Sequence, residues 1–399
     1  MSLFSENFHV FFFFFFFLTL HFSSSSAASI PAVGVTFSTN ATVYLPRPER
    51  VASALRSLKI ACVRLPDPNP KNIRAFTYSD ISLLLSIPNS FVPEMALNQS
   101  NALKWLSHNV VPFYPHALIS SISVGDDVLK PSSTNLSDSV LPAIRNVYRG
   151  LHQLGIRKIS VSTTFSFVDV VTTAFPPSSA EFRKPIVQSL VKPLLEFLSS
   201  TNSSLLINMH PYKLYRSHPE IPIGFALFQE QPFNFRDDLK TGARYRNLFD
   251  MMVDSVISAT ATLGHDRIPV VVTETGWPSY GGEDEGDATE DYAHMYNTGL
   301  LKHLQSGLGT PLRREGVAEI YIYELFDEDG KKTTSERHWG ILYPNLTKKY
   351  EIDFSGSAES GRGTDDCFQR VMGSLLLTLI LVEVLVQQLV LEDRVNSRA

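Results

Sequence analysis

The chain is poor in cysteine, with only Cys62 and Cys367 among its 399 residues. Two cysteines cannot build a disulfide-rich domain, and Cys62 lies in an apolar run where a thiol packs as a small hydrophobic group. The sequence has no cluster of His, Cys and Asp with metal-ligand spacing and no glycine-rich phosphate loop. We therefore expect neither a metal site nor a cofactor.

Basic residues are too scattered to bind a polyanion. The formal net charge is −5, and no stripe of Lys and Arg runs along the sequence. Because proteins neutralise phosphate backbones with such clusters, the pattern argues against a nucleic-acid partner. Hydrophobic residues make up 44% of the chain, which is enough for the core of one barrel-sized domain or of two smaller ones.

The start of the chain resembles a secretory signal. Residues 11–20 are almost purely apolar and residues 23–29 are small, which predicts a signal peptide over residues 1–29, although Glu6 precedes them and Lys and Arg do not. Sequons of the form Asn-X-Ser/Thr agree with a secreted, glycosylated protein. They begin at Asn40, Asn98, Asn135, Asn202 and Asn345.

The end of the chain resembles a lipid-anchor signal. Residues 355–363 are small and polar, and residues 373–391 are largely apolar. This order predicts a glycosylphosphatidylinositol-anchor propeptide over residues 355–399 and hence attachment to the plasma membrane. Glu383 interrupts the apolar tail, so a divergent, partly helical extension is the alternative.

Between these ends, apolar strand-like runs alternate with amphipathic segments of helical period. The alternation predicts one (β/α)₈ barrel domain over residues 30–354. The predicted strands are Ala32–Phe37, Ile60–Leu65, Ile81–Ile87, Ile119–Gly125, Lys158–Thr163, Leu205–Met209, Pro269–Thr273 and Glu319–Tyr323. The segment Tyr215–Arg246 is too long for a simple loop, so it predicts a small subdomain at the rim between strands six and seven.

Two predicted strands end on acidic residues. The apolar run that begins at Val270, in VVVTETGWPSYG, leads to Glu274 and breaks at Gly276. The alternating run in ISSISVGDDVL leads through Gly125 to Asp126 and Asp127. The carboxyl ends of barrel strands carry the chemistry of this fold, and a facing pair of carboxyl groups suits glycoside hydrolysis. The alternatives are that Glu274 only caps a turn and that the two aspartates form an exposed acidic turn.

Several strings, in order, resemble the plant β-1,3-glucanases of glycoside hydrolase family 17. They cover most of the chain, from Val33 to about Asn345, and include VGVTF, VRLPDPNP, FPPSSAEF, NMHPY, ETGWPS, IYELFDEDGK and ERHWG. The resemblance implies a (β/α)₈ barrel of the cell wall that hydrolyses β-1,3-glucan with retention of configuration. It also implies a monomer without a cofactor.

The resemblance implies roles for individual residues. Glu274 matches the nucleophile, and Asp127 stands where the family has its acid/base glutamate. The residues matched to substrate binding are Phe37, Arg64, Asp126, Asn208, Tyr212, Trp277, Glu328 and Lys331. Aromatic faces suit the apolar faces of sugar rings and polar side chains suit hydroxyl groups, but Tyr212 and Trp277 are equally compatible with core packing.

The sequence departs from the family pattern at the acid. The usual Asn-Glu is Asp126-Asp127 here, which shortens the acid arm by about 1.5 Å, one C–C bond. Phe37, Pro66 and His210 stand where tyrosine is usual, and Lys213 stands where phenylalanine is usual. The sequence therefore leaves three functions open: hydrolysis of β-1,3-glucan, transfer of glucan chains, and glucan binding without hydrolysis.

Overall fold

The computed structural model describes residues 30–39, 44–130 and 136–356, and within these residues the chain forms a barrel. Nine parallel strand segments are ordered β5-β4-β3-β2-β1-β11-β10-β7-β6. The predicted (β/α)₈ barrel is therefore confirmed. The strands are β1 Ala32–Thr36, β2 Cys62–Leu65, β3 Ser82–Ile87, β4 Leu118–Val124, β5 Ser160–Ser162, β6 Thr164–Ser166, β7 Leu205–Asn208, β8 Arg236–Asp238, β9 Ala243–Tyr245, β10 Val270–Thr275 and β11 Glu319–Ile322.

The fifth position of the barrel holds two short strands instead of one. Ser160–Ser162 pairs with β4 and Thr164–Ser166 pairs with β7, so the ring is interrupted only at Thr163. The Thr163 hydroxyl donates to the Val124 carbonyl over 2.8 Å, which holds this residue against β4. The predicted fifth strand, Lys158–Thr163, covers only the first of the two segments.

Helices surround the barrel, and polar caps start several of them. Side chains of Asn69, Asn98, Asn247, Thr289 and Thr333 each accept a hydrogen bond from a backbone N–H in the first turn. The α-helices are α1 Pro48–Ser57, α2 Pro70–Ala75, α3 Val92–Leu97, α4 Gln99–Asn109, α5 Ser137–Gln153, α6 Phe167–Val170, α7 Lys184–Ile186, α8 Lys192–Thr201, α9 Pro211–Ser217, α10 Ile223–Ala226, α11 Leu248–Thr262, α12 Glu290–Gln305 and α13 Thr334–Arg337.

The core has two layers because each parallel strand is covered on both faces. The larger layer lies between strands and helices, and α11 contributes Met252, Val253 and Val256 to it. A smaller cluster of Cys62, Leu84, Leu206, Val271 and Tyr321 is separate from it. In the described parts of the chain, no helix is both long and apolar enough to cross a membrane.

The predicted rim subdomain is present between β7 and β10. It contains α9, α10 and the antiparallel hairpin of β8 and β9. The buried carboxylate of Asp238 accepts hydrogen bonds from the Ser178 backbone N–H at 2.8 Å and hydroxyl at 2.7 Å. These bonds tie the hairpin to the segment that follows the fifth barrel position.

The predicted signal peptide, residues 1–29, lies outside the described residues, as do the predicted tail 355–399 beyond residue 356 and the sequons at Asn40 and Asn135.

Candidate active site

A cavity of about 390 Å³ lies where the barrel strands end. Asp126, Asp127 and Glu274, the three acidic residues that the sequence placed at strand ends, all line it. Side chains from several strand ends converge at this face of a (β/α)₈ barrel, which is where the fold carries active sites. The other lining residues are Asn89, Lys130, His210, Lys213, Tyr323, Lys331, Glu336 and Trp339.

Glu274 is held at both carboxylate oxygens. It is the penultimate residue of β10, a strand that ends two residues later than predicted, and it is 9% exposed. The Arg64 Nη1 group donates to Oε1, and His210 Nε2 lies 3.2 Å from Oε2. Arg64 lies in β2 and His210 lies just after β7, so two other parts of the barrel orient this carboxylate at the end of β10.

Positive charge keeps Glu274 ionised. Burial alone would raise the pKa of this carboxyl group, but the Arg64 guanidinium and the hydrogen bond from His210 outweigh burial and lower the pKa to about 2. At any pH above that value the group is a carboxylate. An ionised carboxylate facing a cavity has the protonation state that a nucleophile requires.

Asp127 lies in a tight turn that follows β4. The turn has φ of +84° at Gly125 and +44° at Asp127, and aspartate tolerates such a left-handed conformation better than most residues. Because Asp126 and Asp127 are no longer in the strand, their side chains do not alternate between opposite faces. Asn208 Nδ2 donates to both, at 3.1 Å to Asp126 and 2.9 Å to Asp127.

The environment of Asp127 favours its protonated form. Burial, followed by the negative charges of Asp126 and Glu274, raises the pKa of Asp127 from 3.8 to about 7, although Asn208 and Lys213 act in the opposite direction. Asp127 therefore carries a proton across the mildly acidic range in which Glu274 is ionised. One cavity thus holds a proton donor and a carboxylate.

A buried network joins the two acidic strand ends. The Arg64 Nη2 atom lies 2.7 Å from Asp126 Oδ2, while its Nη1 binds Glu274. The Thr273 hydroxyl donates to Asn208 Oδ1 over 2.8 Å and thereby orients the amide that contacts both aspartates. Removing any one member would leave a buried polar group without its partner, which costs more than the bond itself contributes.

Glu328 and Lys331 form a second charged pair beside the cavity. Lys331 Nζ is 2.8 Å from Glu328 Oε2, and the Tyr323 hydroxyl donates to the same oxygen over 3.1 Å. Glu324 is buried beneath them, and its pKa is raised by burial and by the charge of Glu328. The predicted Glu and Lys of the cleft are therefore neighbours.

Three predicted sugar-binding aromatics do not line the cavity. Trp277 is 0% exposed and donates Nε1–H to the Asp287 carbonyl, while Tyr212 is 3% exposed and packs against Trp277 with ring centroids 4.8 Å apart. Phe37 is 1% exposed and packs edge-on against Phe326. Tyr212 and Trp277 are therefore core residues, which is the alternative given for both. The prediction for Phe37 is corrected to core packing as well, since a buried ring cannot stack on sugar.

Seven residues of the cavity wall were not predicted as site residues: Asn89, Lys130, His210, Lys213, Tyr323, Glu336 and Trp339. His210 and Lys213 follow β7 directly and lie at the start of α9, while Trp339 belongs to the ERHWG string. Lys213 Nζ lies 6.0 Å from the centroid of a Trp339 ring. Their signal in the sequence is position alone, because a polar residue immediately after a barrel strand faces the catalytic end of the fold.

Two further predictions concern the surface and metals. Asn98, Asn202 and Asn345, the sequon residues within the described ranges, are all exposed. Among the described residues, no group of three or more His, Cys, Asp and Glu side chains is arranged to hold a metal ion.

Comparison with known proteins identifies the family. The profile of Glycosyl hydrolases family 17 matches residues 33–354. The chain is 38% identical over 327 residues to glucan endo-1,3-beta-glucosidase 12 of Arabidopsis thaliana, covering 81% of this chain and 60% of that protein. It is 36% identical over 326 residues to glucan endo-1,3-beta-glucosidase 14 of the same plant, covering 81% of this chain and 82% of that protein.

A solved structure agrees with this similarity. CJP38, described as a beta-1,3-glucanase and allergen of Cryptomeria japonica pollen, superposes with a TM-score of 0.77 at 35% identity, over 81% of this chain and 99% of that one. The chain spans less than two thirds of the first relative named above. Since the family profile covers nearly all of the barrel, the chain belongs to glycosyl hydrolases family 17.

Proposed function

We propose that this protein hydrolyses β-1,3-glucan with retention of configuration, with Glu274 as nucleophile and Asp127 as acid/base. The observation that carries the proposal is the opposite protonation of two carboxyl groups in one cavity, since the pKa of Glu274 is about 2 and that of Asp127 about 7. Retaining glycosidases require this pair. The choice of β-1,3-glucan follows the names of the relatives.

In the first step the glycosidic bond is exchanged for an enzyme ester. The Glu274 carboxylate attacks the anomeric carbon as Asp127 transfers its proton to the departing glycosidic oxygen. The released chain leaves with a new hydroxyl group, and the remaining chain is covalently bound to Glu274. Arg64, which is fully buried, holds the other side of the nucleophile throughout.

In the second step water releases the sugar. Asp127, now a carboxylate, takes a proton from water while the oxygen of that water attacks the anomeric carbon and displaces Glu274. Both residues return to their starting protonation states, and the two inversions give net retention. If a sugar hydroxyl takes the place of water, the same chemistry transfers glucan instead.

Purified protein incubated with laminarin, with products resolved by size and the first-formed anomer observed by NMR, tests the proposal. We expect shorter chains whose new reducing ends are β-anomers, and no products from Glu274→Ala. Longer chains would identify a transferase, and glucan binding without products would identify a binding protein. An α-anomer, or full activity in Glu274→Ala, would contradict the mechanism.

We also propose that the protein is secreted to the cell wall, glycosylated, and anchored by a lipid after removal of residues beyond the 355–361 region. Exposure of the sequon residues Asn98, Asn202 and Asn345 supports glycosylation. Peptide-N-glycosidase should lower the apparent mass, and a phosphatidylinositol-specific phospholipase should release the protein from membranes. A mature chain that extends to Ala399 would contradict the anchor.

A further inference from the structure

The two oxygens of Glu274 have different partners. Oε1 is bound by Arg64, which is fully buried and does not line the cavity. Oε2 lies 3.2 Å from Nε2 of His210, a residue that lines the cavity together with Glu274. Oε2 is therefore on the side of the carboxylate from which a substrate can approach.

The His210 ring is packed firmly in place. Its centroid lies 5.7 Å from that of Tyr323 and 5.2 Å from that of Trp339, and both rings meet it edge to face, at 79° and 74°. The residue is 9% exposed. Such packing leaves the imidazole little rotational freedom, so its contact with Glu274 is determined by the surrounding structure.

The contact defines the protonation of the ring. Ionised Glu274 can only accept, so Nε2 must carry the hydrogen, and the neutral ring then has a bare Nδ1. Nδ1 is buried and has no hydrogen-bond partner among the described residues. Protonation would place an unpaired N–H there, which explains in part why the ring resists a second proton.

Charges around the ring act in both directions. Lys213 from α9 and Arg64 from β2 disfavour the imidazolium, whereas Glu274 from β10 favours it. The two rings packed against the imidazole add no charge, because Trp339 does not titrate and burial raises the pKa of Tyr323. Burial is the largest influence, and the pKa of His210 falls to about 4.

We propose that His210 is a positioning residue for the nucleophile: its neutral imidazole presents Oε2 of Glu274 as the attacking oxygen, and protonation of the ring suppresses the attack. The inference rests on the proposed function, since it requires Glu274 to form the ester. When Oε2 becomes the ester oxygen it loses charge and accepts hydrogen bonds more weakly. Losing a bond from a neutral donor costs less than losing the charge-assisted bond that Arg64 makes to Oε1.

Protonation reverses this advantage. An imidazolium would bind Oε2 through a charge-assisted hydrogen bond and hold the electron pair that must attack carbon. Activity should therefore fall as pH decreases through about 4, the pKa of His210, rather than near 2, the pKa of Glu274. The acidic limb of the rate profile belongs to the histidine.

Two variants of His210 separate positioning from packing. His210→Gln keeps a neutral N–H donor and has no basic nitrogen, so we expect kcat/KM within about tenfold of wild type and an acidic limb displaced to lower pH. His210→Phe keeps the ring and removes the donor, so kcat should fall about tenfold or more with KM changed less. His116→Gln, at an exposed histidine packed on Tyr78, is the matched control and should change neither quantity.

Lys213→Met provides a test in the opposite direction. Loss of this positive charge should raise the pKa of His210 and move the acidic limb to higher pH. All profiles would be measured on laminarin from pH 3 to 8, after checking that protein held at each pH recovers full activity at pH 5.5. An acidic limb that is unchanged in both His210→Gln and Lys213→Met would overturn the inference.

A measurement without turnover tests the same ring. In ¹⁵N-histidine-labelled protein, with His210 assigned by its absence from the His210→Gln spectrum, we expect a neutral Nε2–H tautomer at pH 6 that titrates near pH 4. An Nδ1–H tautomer or an imidazolium at pH 6 would contradict the inference, even in an active enzyme. Wild-type protein that leaves laminarin uncut would instead contradict the proposed function, and the inference with it.

Discussion

At the scale of single residues, the negative charge next to Asp127 helps to separate its pKa from that of Glu274. Asp126 is ion-paired with Arg64 and hydrogen-bonded to Asn208, so its carboxylate stays beside the acid. After burial, this charge is the largest cause of the raised pKa of Asp127. The two aspartates are adjacent in the sequence, but it is the turn at Gly125 that brings both side chains to one side.

Asp126→Asn should therefore shift the alkaline limb of hydrolysis to lower pH. A general acid works only when protonated, so activity is lost as pH rises through its pKa, and removing the negative neighbour lowers that pKa from about 7. The measurement is kcat/KM against pH, with Asp80→Asn, an exposed aspartate before β3, as the control. An alkaline limb that stays in place or moves to higher pH would exclude Asp127 as the titrating acid.

Asp127→Glu should raise activity and lower stability. The longer side chain reaches about 1.5 Å farther, and a misplacement of 1 Å can cost about a hundredfold in rate. Glutamate tolerates φ of +44° less well than aspartate, so the turn becomes more strained. Kinetics on laminarin and thermal unfolding of the same sample separate these effects. Equal activity in wild type, Asp127→Glu and Asp127→Ala would show that Asp127 is not the acid.

At the scale of elements, the segment after β3 supports the turn after β4. Asn89 lines the cavity and holds the Asp126 peptide at both ends, donating from Nδ2 to the carbonyl over 2.7 Å and accepting from the N–H over 2.8 Å. Val128 and Asn89 also leave no room for a side chain at Gly125. The position of Asp127, the proposed acid, thus depends on an amide from a neighbouring barrel segment.

We expect Asn89→Ala to reduce kcat about tenfold through loss of these two hydrogen bonds to the turn. Because Asn89 is not the proton donor, the pH at which activity is lost should move less than in Asp126→Asn. Asn101→Ala removes a comparable amide-to-backbone bond, to the Glu94 carbonyl in the α3–α4 region, and serves as the control. Full activity in Asn89→Ala would show that the turn keeps its conformation without the two hydrogen bonds from Asn89.

The sequence predicted strands better than it predicted burial of the residues beyond them. Apolar runs identified β10 and the position of Glu274, because a buried strand has few alternatives. The same reasoning could not show that Trp277, just after that strand, points into the core. Its indole N–H donates to the Asp287 carbonyl, and the alternation of apolar residues along a strand gives no signal for such a partner.

At the scale of the whole molecule, the alternation of strands and helices was enough to predict the barrel, because short connections and right-handed crossovers leave few other arrangements. The interruption at Thr163 could not be predicted, since it depends on pairing with β4 on one side and β7 on the other. The complete burial of Arg64 could not be predicted from the sequence either. Its charge is fully buried only because Glu274 and Asp126, both far away in sequence, pair with it.

Three buried groups, Asp254, Asp127 and His303, make the stability of the whole fold decrease as pH rises. Asp254 on α11 accepts hydrogen bonds from the Thr310 hydroxyl and the Leu312 N–H, yet burial raises its pKa from 3.8 to about 7. Asp127 behaves similarly. The pKa of His303 is also raised, because its hydrogen bond to Asp250 and the charge of that residue outweigh burial.

A group whose pKa is raised by folding stabilises the protein below its unfolded pKa and loses that contribution as pH rises through the folded value. For the two aspartates this window runs from 3.8 to about 7. Glu274 and His210 have the opposite sign, because their pKa values are lowered, from 4.5 to about 2 and from 6.5 to about 4, so stability falls as pH decreases through these two intervals. The midpoint of thermal unfolding should therefore be highest near pH 4 to 5 and should decline toward pH 8.

Asp254→Asn tests this explanation away from the active site. The amide is neutral in both states, so the decline in unfolding free energy between pH 4 and 7 should become shallower by up to about 1.4 kcal/mol per pH unit, the value for one proton. Asp127→Asn should remove a separate part of the slope, and the two effects should add, because Asp127 is hydrogen-bonded to Asn208 whereas Asp254 is hydrogen-bonded to Thr310 and Leu312. Asp80→Asn should leave the slope unchanged, and a slope equally unchanged in Asp254→Asn would place the pH dependence in other groups.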